Sequence, residues 1–288
     1  MNLDCDRFSN SMISDFIDCP AKFYFGWYKN LRSLSLDLHL EFGNSIHLAC
    51  EHYFRQIEGG RQADKNLEVE TLQIFLDDIN QKDLEISASK NQQVGVSVLG
   101  DFFSQYKYTS PDDVLAVEQR IGRVIKGHTY TGRIDLLLMK NGRVTTVDHK
   151  TTGRLMSNTA EKWQLSRQLI GYQWLTKAQD LKVNLFHCIK TNPAMYIYPF
   201  MFSPTKLERW EYQTVAILDM IAERVQMMNR FLSHPQHTYL PDAIFPRLGT
   251  RCISYSCEFK CLCDQDVPLV EIIVPALEFR ERQDKEYW

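Results

Sequence analysis

The stretch Gly132-Arg133-Ile134-Asp135, followed by Asn141-Gly142 and by Val147-Asp148-His149-Lys150, decides the fold. Asn-Gly is a strong signal for a two-residue hairpin turn, because both positions tolerate positive φ. Counting outward from that turn places Asp135 directly opposite Asp148, with Cβ atoms roughly 4.5–5.5 Å apart. Lys150 lies two residues further along the strand and projects from the same face.

Two carboxylates that face each other across a strand pair repel, and the fold itself does not need them there. A divalent cation turns this repulsion into coordination, because Mg²⁺ and Mn²⁺ prefer carboxylate oxygen and water. A neighbouring lysine can hold or help deprotonate a water molecule that attacks phosphorus. A solvent-facing hairpin whose charges happen to align explains the same residues, so the pattern alone leaves both interpretations open.

The segments around the hairpin predict a mixed α/β domain in which helices cover a central β-sheet. Hydrophobic spacing predicts helices on both sides of the hairpin, and β-rich runs with turn signals predict strands. The predicted helices are 11–19, 45–57, 67–79, 96–106, 162–178 and 204–231; the predicted strands are 114–124, 129–139, 143–149, 184–189 and 195–202. The aromatic run 23–28 is predicted to face the core rather than to stack on bases.

Composition places the chain among ordinary globular proteins, since 44% of its 288 residues are hydrophobic and 24% are charged. No apolar run reaches the roughly 20 residues that a membrane-spanning helix needs, and residues 1–6 do not resemble a signal peptide. We therefore expect a cytoplasmic protein without membrane attachment. The net charge of -3 does not favour nonspecific nucleic-acid binding. A local basic groove is still compatible with it, and the basic residues near the hairpin are Arg133, Lys150, Arg154, Lys162 and Arg167.

Eight cysteines in an intracellular chain are more typical of ligands or buried thiols than of disulfides. Cys5, Cys19, Cys50 and Cys188 are scattered, whereas Cys252, Cys257, Cys261 and Cys263 crowd into one short segment. Close spacing of thiolates suits a metal or iron–sulfur site, and zinc on four thiolates is the alternative to a cluster.

The hairpin residues resemble the D…(D/E)-x-K signature of the PD-(D/E)XK nucleases, and Gly-Arg-Ile-Asp…Val-Asp-His-Lys-Thr-Thr resembles the RecB-like branch. The resemblance implies a restriction-endonuclease-like core. It also implies that Asp135, Asp148 and the His149 carbonyl bind the metal ion and that Lys150 is catalytic. Aspartate at 148 replaces the commoner glutamate.

Further motifs extend the resemblance on both sides of the hairpin. Gly43-Asn44-Ser45-Ile46-His47 matches a Gly-x-x-h-His pattern (h apolar), which makes His47 a metal ligand; alone, a helical histidine is more often a core or surface residue. Gln168 and Tyr172 match Gln-x-x-x-Tyr, which implies contact with DNA near the scissile phosphate, although an ordinary polar stripe has the same spacing. Glu118 lies where many relatives carry an acid and either helps the metal or is a surface residue. Glu51, one turn after His47, could orient it.

The cysteine segment resembles the cluster-binding stretch of iron–sulfur RecB-like nucleases, including CRISPR-associated ones. The resemblance implies that Cys19 joins three C-terminal cysteines around a [4Fe–4S] cluster that ties the two ends of the chain together. Its pattern favours Cys252, Cys257 and Cys263 and leaves Cys261 spare, although the choice between the last two stays open. Cys5, Cys50 and Cys188 are expected to be ordinary thiols.

The resemblance therefore implies a Mg²⁺- or Mn²⁺-dependent deoxyribonuclease, an exonuclease on single-stranded DNA ends that serves DNA repair, recombination or CRISPR-type DNA processing. Because no G-x-x-x-x-G-K-[ST] phosphate loop is present, unwinding would need a helicase, integrase or recombination partner. The alternative is a noncatalytic nucleic-acid-binding or assembly subunit that keeps the fold. We expect one nuclease domain over 1–263 and a tail, 264–288, of unknown role. The parts of the domain are 1–44, 45–113, 114–203, 204–244 and 245–263.

Overall fold

The computed structural model describes residues 7–34, 38–82, 91–235, 240–248, 252, 257–276 and 278–281. The chain forms two compact units. The central unit comprises Leu36–Ile121 and Arg133–Leu207, and the terminal unit comprises Met1–Ser35, Gly122–Gly132 and Glu208–Trp288. Cys5 and much of the predicted tail lie outside the described residues.

A mixed β-sheet forms the centre of the fold, as predicted. Its order is β1-β4-β5-β6-β7, and β3 also pairs with β4. The β4–β5 and β6–β7 pairs are antiparallel, while β5–β6 is parallel. The strands are β3 (Val114–Ile125), β4 (His128–Lys140), β5 (Arg143–Thr152), β6 (Asp180–His187) and β7 (Ala194–Phe200).

The hairpin between β4 and β5 has the predicted turn and register. Asn141 and Gly142 have φ values of 52° and 73°, the left-handed conformation that such a turn requires. Pairing runs from Lys140–Arg143 to Leu136–Val147. Asp135 and Asp148 are the next residues along the two strands, in the register that was predicted.

Three helices of the central unit build a hydrophobic core with the sheet: α3 (Leu38–Glu58), α4 (Lys65–Gln81) and α5 (Gln92–Tyr106). The side chain of Phe75 on α4 lies against Gly95 on α5 so closely that a Cβ at residue 95 would be 2.0 Å from the ring. Cys50 and Cys188 are buried in the same core, which agrees with their predicted role as ordinary thiols.

The segment after the hairpin differs from the prediction. The helix predicted over 162–178 is two helices, α6 (Thr159–Gln164) and α7 (Arg167–Thr176). The Ser166 hydroxyl accepts a hydrogen bond from the Leu169 amide and so starts α7 as an N-cap. Lys177, with φ of 56°, ends α7 early, and β6 therefore starts at Asp180 rather than at 184.

The terminal unit contains the predicted short helix near the start and most of the predicted long helix. Its aromatic run is buried as expected, because Phe23 and Tyr24 pack against Phe245. Its elements are β1 (Arg7–Ser9), α1 (Asn10–Asp18), α2 (Pro20–Phe23), a π-turn (Tyr24–Tyr28), β2 (Leu31–Ser33), α8 (Pro204–Ser233), α9 (Leu240–Ile244), α10 (Lys260–Cys263) and β8 (Phe279–Glu281). Within the described residues, none of the helices combines the length and apolarity needed to cross a membrane.

Candidate active site

Three elements of the central unit bring a histidine and two carboxylates together. His47 comes from α3, Glu118 from β3 and Asp135 from β4, and one ligand atom of each lies within 4.8 Å of the others. The Asp135 side chain is 9% exposed and that of Glu118 is 7% exposed, so both acids are largely buried. We call these three residues the acidic group.

A glycine allows α3 to approach the β4–β5 hairpin. A Cβ at Gly43 would lie 2.9 Å from the Thr151 hydroxyl oxygen, which is closer than unbonded atoms of this kind pack. Gly43 is one turn before His47, and Thr151 follows Lys150 on β5. The glycine of the Gly-x-x-h-His motif therefore has a packing role, because it lets the helix carrying His47 lie close to the strand.

The main chain of the hairpin fixes Asp135. The His149 amide donates a 2.7 Å hydrogen bond to Asp135 Oδ2, and His47 Nδ1 lies 3.7 Å from the same oxygen. Asp148, predicted to be a ligand together with Asp135, is not in the group of three. Its carboxylate, which is 1% exposed, is ion-paired to Lys150 Nζ at 3.0 Å.

Burial and the nearby charge of Asp135 raise the pKa values of Asp148 and Glu118. Burial raises the pKa of Asp148 to about 7; the ammonium of Lys150 opposes this shift and the carboxylate of Asp135 adds to it. Burial, followed by the charge of Asp135, raises the pKa of Glu118 to about 8. Near neutral pH these two carboxyl groups are therefore only partly ionised, and a bound cation would favour their ionised form.

The histidines are kept neutral and the lysine is kept charged. Burial lowers the pKa of His47 despite the opposing charge of Asp135, and burial lowers the pKa of His149 to about 3. Burial alone would lower the pKa of Lys150, but the carboxylates of Asp148 and Asp135 outweigh it and leave that pKa raised. His47 thus offers a neutral ring nitrogen, and Lys150 offers an ammonium donor.

Glu118 has a strained backbone, a feature that sequence reasoning could not detect. Its φ is 46°, a left-handed value within a β-strand, although the residue is not a glycine. Such conformations persist where surrounding structure enforces them, and they occur often at functional sites. Arg133 Nε lies 2.7 Å from Glu118 Oε2, although the geometry is not that of a hydrogen bond.

The predicted Gln168–Tyr172 pair does share one face of α7. Gln168 Nε2 donates a 2.9 Å hydrogen bond to the Tyr172 hydroxyl, and α7 packs on β5 and β6. Glu51, one turn after His47 on α3, is ion-paired with Arg55 at 3.6 Å.

A buried polar network behind His149 was missed at the sequence level. Asn184 Nδ2 on β6 is 2.9 Å from the Tyr106 hydroxyl and 3.2 Å from His149 Nδ1. Since the amide nitrogen donates, His149 Nδ1 accepts and the neutral ring carries its proton on Nε2. An asparagine inside the apolar strand Val183–Phe186 was the available signal, because a buried amide needs partners.

The residues of this site fit a hard divalent cation. Asp148 Oδ2 and Glu118 Oε2 are buried oxygens that accept no hydrogen bond, although each lies in an ion pair, with Lys150 and Arg133 respectively. The donor set of carboxylates and one neutral imidazole is of the kind that binds Mg²⁺ or Mn²⁺.

Four cysteines of the terminal unit lie near enough for their thiols to influence one another's ionisation. Burial, followed by the nearby thiols of Cys252, Cys19 and Cys257, raises the pKa of Cys263 to about 12. The Cys19 sulfur also lies 4.0 Å from the Pro246 carbonyl oxygen. We call Cys19, Cys252, Cys257 and Cys263 the cysteine group; they are the residues that the resemblance to iron–sulfur nucleases favours as cluster ligands.

Cys261 has different surroundings. Its sulfur lies 3.4 Å from Glu278 Oε2, and its pKa is raised by burial and then by that carboxylate. Within the described residues, no three cysteine sulfurs come within 4.8 Å of one another.

The sequence matches the family model of the PD-(D/E)XK nuclease superfamily over residues 7–264. The chain belongs to the PD-(D/E)XK nuclease superfamily. Among solved structures, a candidate exonuclease from Eubacterium rectale is 12% identical, with a TM-score of 0.47; the match covers 77% of this chain and 81% of that one. LHK-Exo in complex with dAMP is also 12% identical, with a TM-score of 0.34, and the match covers 67% and 97% of the two chains. No curated protein gives a significant match.

Membership in the PD-(D/E)XK superfamily suggests a metal-dependent nuclease. The geometry of the acidic group is compatible with that activity. The matched residues include His47, Glu118 and the whole β4–β5 hairpin. The superfamily assignment rests on this sequence match, because both TM-scores are below 0.5.

Proposed function

We propose that this PD-(D/E)XK protein is a Mg²⁺- or Mn²⁺-dependent DNA nuclease of the RecB-like branch, acting as an exonuclease on single-stranded ends. The observation that carries the proposal is the convergence of His47, Glu118 and Asp135 beside the Asp148–Lys150 ion pair. Asp135, Asp148, His47 and the His149 carbonyl are the proposed metal ligands, and Glu118 is added to them from the structure.

Each residue of the chain has a distinct task in this proposal. When bound, a divalent ion supplies positive charge that stabilises a phosphate under attack. Lys150 remains protonated and donates hydrogen bonds to the attacking water or to a phosphate oxygen. Neutral His47 offers a lone pair, and the His149 amide keeps one oxygen of Asp135 in a fixed position. Gln168 and Tyr172 are assigned to contact with the strand next to the scissile phosphate.

Electrostatics support an enzyme over the alternative, a noncatalytic subunit that retains the fold. Buried carboxylates with raised pKa values destabilise a folded protein unless something compensates for them. Two buried oxygens without hydrogen bonds and a residue with left-handed φ occur within one site. A protein that only assembles or binds has no need of this combination.

Cleavage of end-labelled single- and double-stranded DNA tests the proposal. Wild-type protein should cleave single strands in Mn²⁺ or Mg²⁺ and should be inactive in EDTA. Asp135→Asn and Lys150→Ala should each lower the rate by at least a hundredfold, by loss of charge at the reacting phosphate. Asp77→Asn, on an exposed part of α4, is the matched control and should match wild type. Equal activity in wild type, Asp135→Asn and Lys150→Ala contradicts the enzyme and favours the noncatalytic alternative.

We further propose that Cys19, Cys252, Cys257 and Cys263 hold a [4Fe–4S] cluster. Four neighbouring soft donors suit either zinc or iron–sulfur. A single zinc ion, with Zn–S bonds of about 2.3 Å, holds its sulfurs roughly 3.8 Å apart. A cluster binds each thiolate to a different iron and holds the sulfurs further apart, which agrees better with separations that exceed 4.8 Å within every trio. Iron content and visible absorption after anaerobic purification decide between them; a colourless protein loaded with zinc contradicts the cluster.

The remaining expectations stay predictions. We predict a single nuclease domain over 1–263 and a cytoplasmic location. We also predict a helicase, integrase or recombination partner and a role in DNA repair, recombination or CRISPR-type DNA processing.

A further inference from the structure

Strand register places aromatic side chains on the sheet face that carries the candidate catalytic residues. Asp148 pairs with Val183 on β6, which pairs with Tyr198 on β7. In the same way, Lys150 is in register with Leu185 and Tyr196. Because directly paired residues point to the same side of a sheet, Tyr196 and Tyr198 lie on the face of Lys150 and Asp148.

The middle and the outer strand differ in exposure. Val183 and Leu185 are 0% and 1% exposed, whereas Tyr196 and Tyr198 on β7 are partly exposed. β7 is the last strand in the sheet order, and Trp163 from α6 packs edge-on against Tyr198 with ring centroids 5.3 Å apart. Trp163 is also partly exposed. We call Trp163, Tyr196 and Tyr198 the aromatic edge.

The segments that form the aromatic edge are basic, although the chain as a whole has a net charge of -3. Residues 190–206 contain no acid, and residues 153–168 contain only Glu161. Their basic residues are Arg154, Lys162, Arg167, Lys190 and Lys206. Two apolar side chains in the same segments are strongly exposed, Leu165 at 79% and Met201 at 73%. A surface that combines aromatic rings with basic side chains is complementary to a nucleic-acid strand, because the rings can stack on bases and the basic groups can bind phosphates.

We propose that the aromatic edge binds the unpaired bases of a single nucleic-acid strand whose backbone leads to Lys150. The inference rests on the proposed nuclease function and names the form of substrate. Bases stack on aromatic side chains while basic residues follow the phosphates. Inside a duplex the base faces are already stacked on one another, so the unpaired bases of a single strand are better suited to these rings. Two strand spacings separate Tyr196 from Lys150, about 10 Å, so the stacked bases lie next to the reacting phosphate.

Binding without catalysis tests the aromatic edge directly. The probe is a fluorescent single-stranded oligonucleotide of about 15 nucleotides, and its anisotropy is measured in EDTA. Trp163→Leu and Tyr198→Leu keep an apolar side chain but remove the flat ring, and each should weaken binding about tenfold. Tyr198→Phe keeps the ring and should bind like wild type. Tyr108→Leu, which removes a tyrosine that is 79% exposed elsewhere in the central unit, is the matched control.

Abasic substitution separates stacking from a general loss of fold. One abasic position in the oligonucleotide should weaken binding to wild type but should not further weaken binding to Trp163→Leu. Unchanged thermal unfolding in the variants excludes misfolding as the cause. Equal affinity of wild type, Trp163→Leu and Tyr198→Leu overturns the aromatic edge, even if the protein cleaves DNA. Weakened binding by these variants, in a protein that never cleaves, supports the aromatic edge and contradicts the nuclease proposal instead.

Discussion

The acidic group and the cysteine group are assembled in different ways. His47, Glu118 and Asp135 each lie within a long regular element, and the helix and strands bring them together with no help from a ligand. Cys19 lies between two short helices, and Cys257 lies outside any regular element. The first site is preassembled by secondary structure at an electrostatic cost, whereas we expect the second to depend on what it binds for cohesion.

The largest expected effect concerns the cysteine group. Cys19→Ser should remove the proposed cluster and destabilise the protein by several kcal/mol, because metal binding contributes directly to folding free energy when ligands come from distant parts of a chain. Thermal unfolding and limited proteolysis measure the loss, and iron content follows it. Cys261→Ser is the control, since the Cys261 sulfur lies 3.4 Å from Glu278 Oε2 and Cys261 is outside the proposed ligand set. Equal iron content in wild type and Cys19→Ser removes Cys19 from the ligand set.

The hydrogen-bond network of Asn184, Tyr106 and His149 offers a test of how far the acidic group is assembled before a metal ion binds. Asn184→Leu leaves the buried Tyr106 hydroxyl and His149 Nδ1 without their partner, which should destabilise the fold by about 1–3 kcal/mol. It should also weaken Mn²⁺ binding, because the His149 amide holds Asp135. Urea unfolding and calorimetric Mn²⁺ titration report the two effects. Tyr106→Phe keeps the bond between Asn184 and His149 and should retain wild-type metal affinity; a loss equal to that of Asn184→Leu would assign the effect to packing.

Asp148 and Glu118 should make the metal-free protein less stable as the pH rises through neutrality. The pKa of Asp148 rises to about 7 and that of Glu118 to about 8, whereas the buried histidines, whose pKa values are lowered, oppose this effect in acid. Above about pH 6.5 the histidines are neutral in both states, so the folded protein binds more protons than the unfolded chain between about pH 6.5 and 8. Stability in EDTA should therefore fall across this range, by about 2 kcal/mol. Asp148→Asn and Glu118→Gln should each flatten the profile of melting temperature against pH.

Added Mn²⁺ should reverse this decrease in stability in wild type, because the ionised acids then bind the cation.

Glu118→Gly should stabilise the metal-free protein more than Glu118→Gln does, since glycine adopts a φ of 46° without strain. A metal-free profile that rises with pH would show that the buried charges are compensated within the chain.

The smallest expected effect separates two helical glycines. Gly100→Ala on α5 meets nothing within 4 Å and should stabilise the protein by about 0.5–1 kcal/mol. Gly43→Ala gains the same helix propensity but presses on the Thr151 hydroxyl, so its stability should change little while activity falls. Removing that hydroxyl in Gly43→Ala/Thr151→Ala should restore the rate. Undiminished activity of Gly43→Ala alone would mean that Thr151 rotates away without moving α3.

The parts that the sequence could predict are those encoded locally. The Asn141-Gly142 turn fixes the hairpin register, and hydrophobic spacing locates the helices. The break at Ser166 was missed because a capping hydroxyl competed with a continuous helical pattern. The left-handed φ of Glu118 and the hydrogen bond between Asn184 on β6 and Tyr106 on α5 could not be predicted from the sequence. Both features depend on tertiary contacts.

The close contact of Gly95 with Phe75 has a consequence for evolution. An added Cβ at residue 95 would lie 2.0 Å from the phenylalanine ring, so the two positions cannot both be large. Relatives with alanine or serine at 95 should carry a smaller side chain at 75. This paired exchange offers a way to align the helical segment between His47 and Glu118, where the family motifs give no guide.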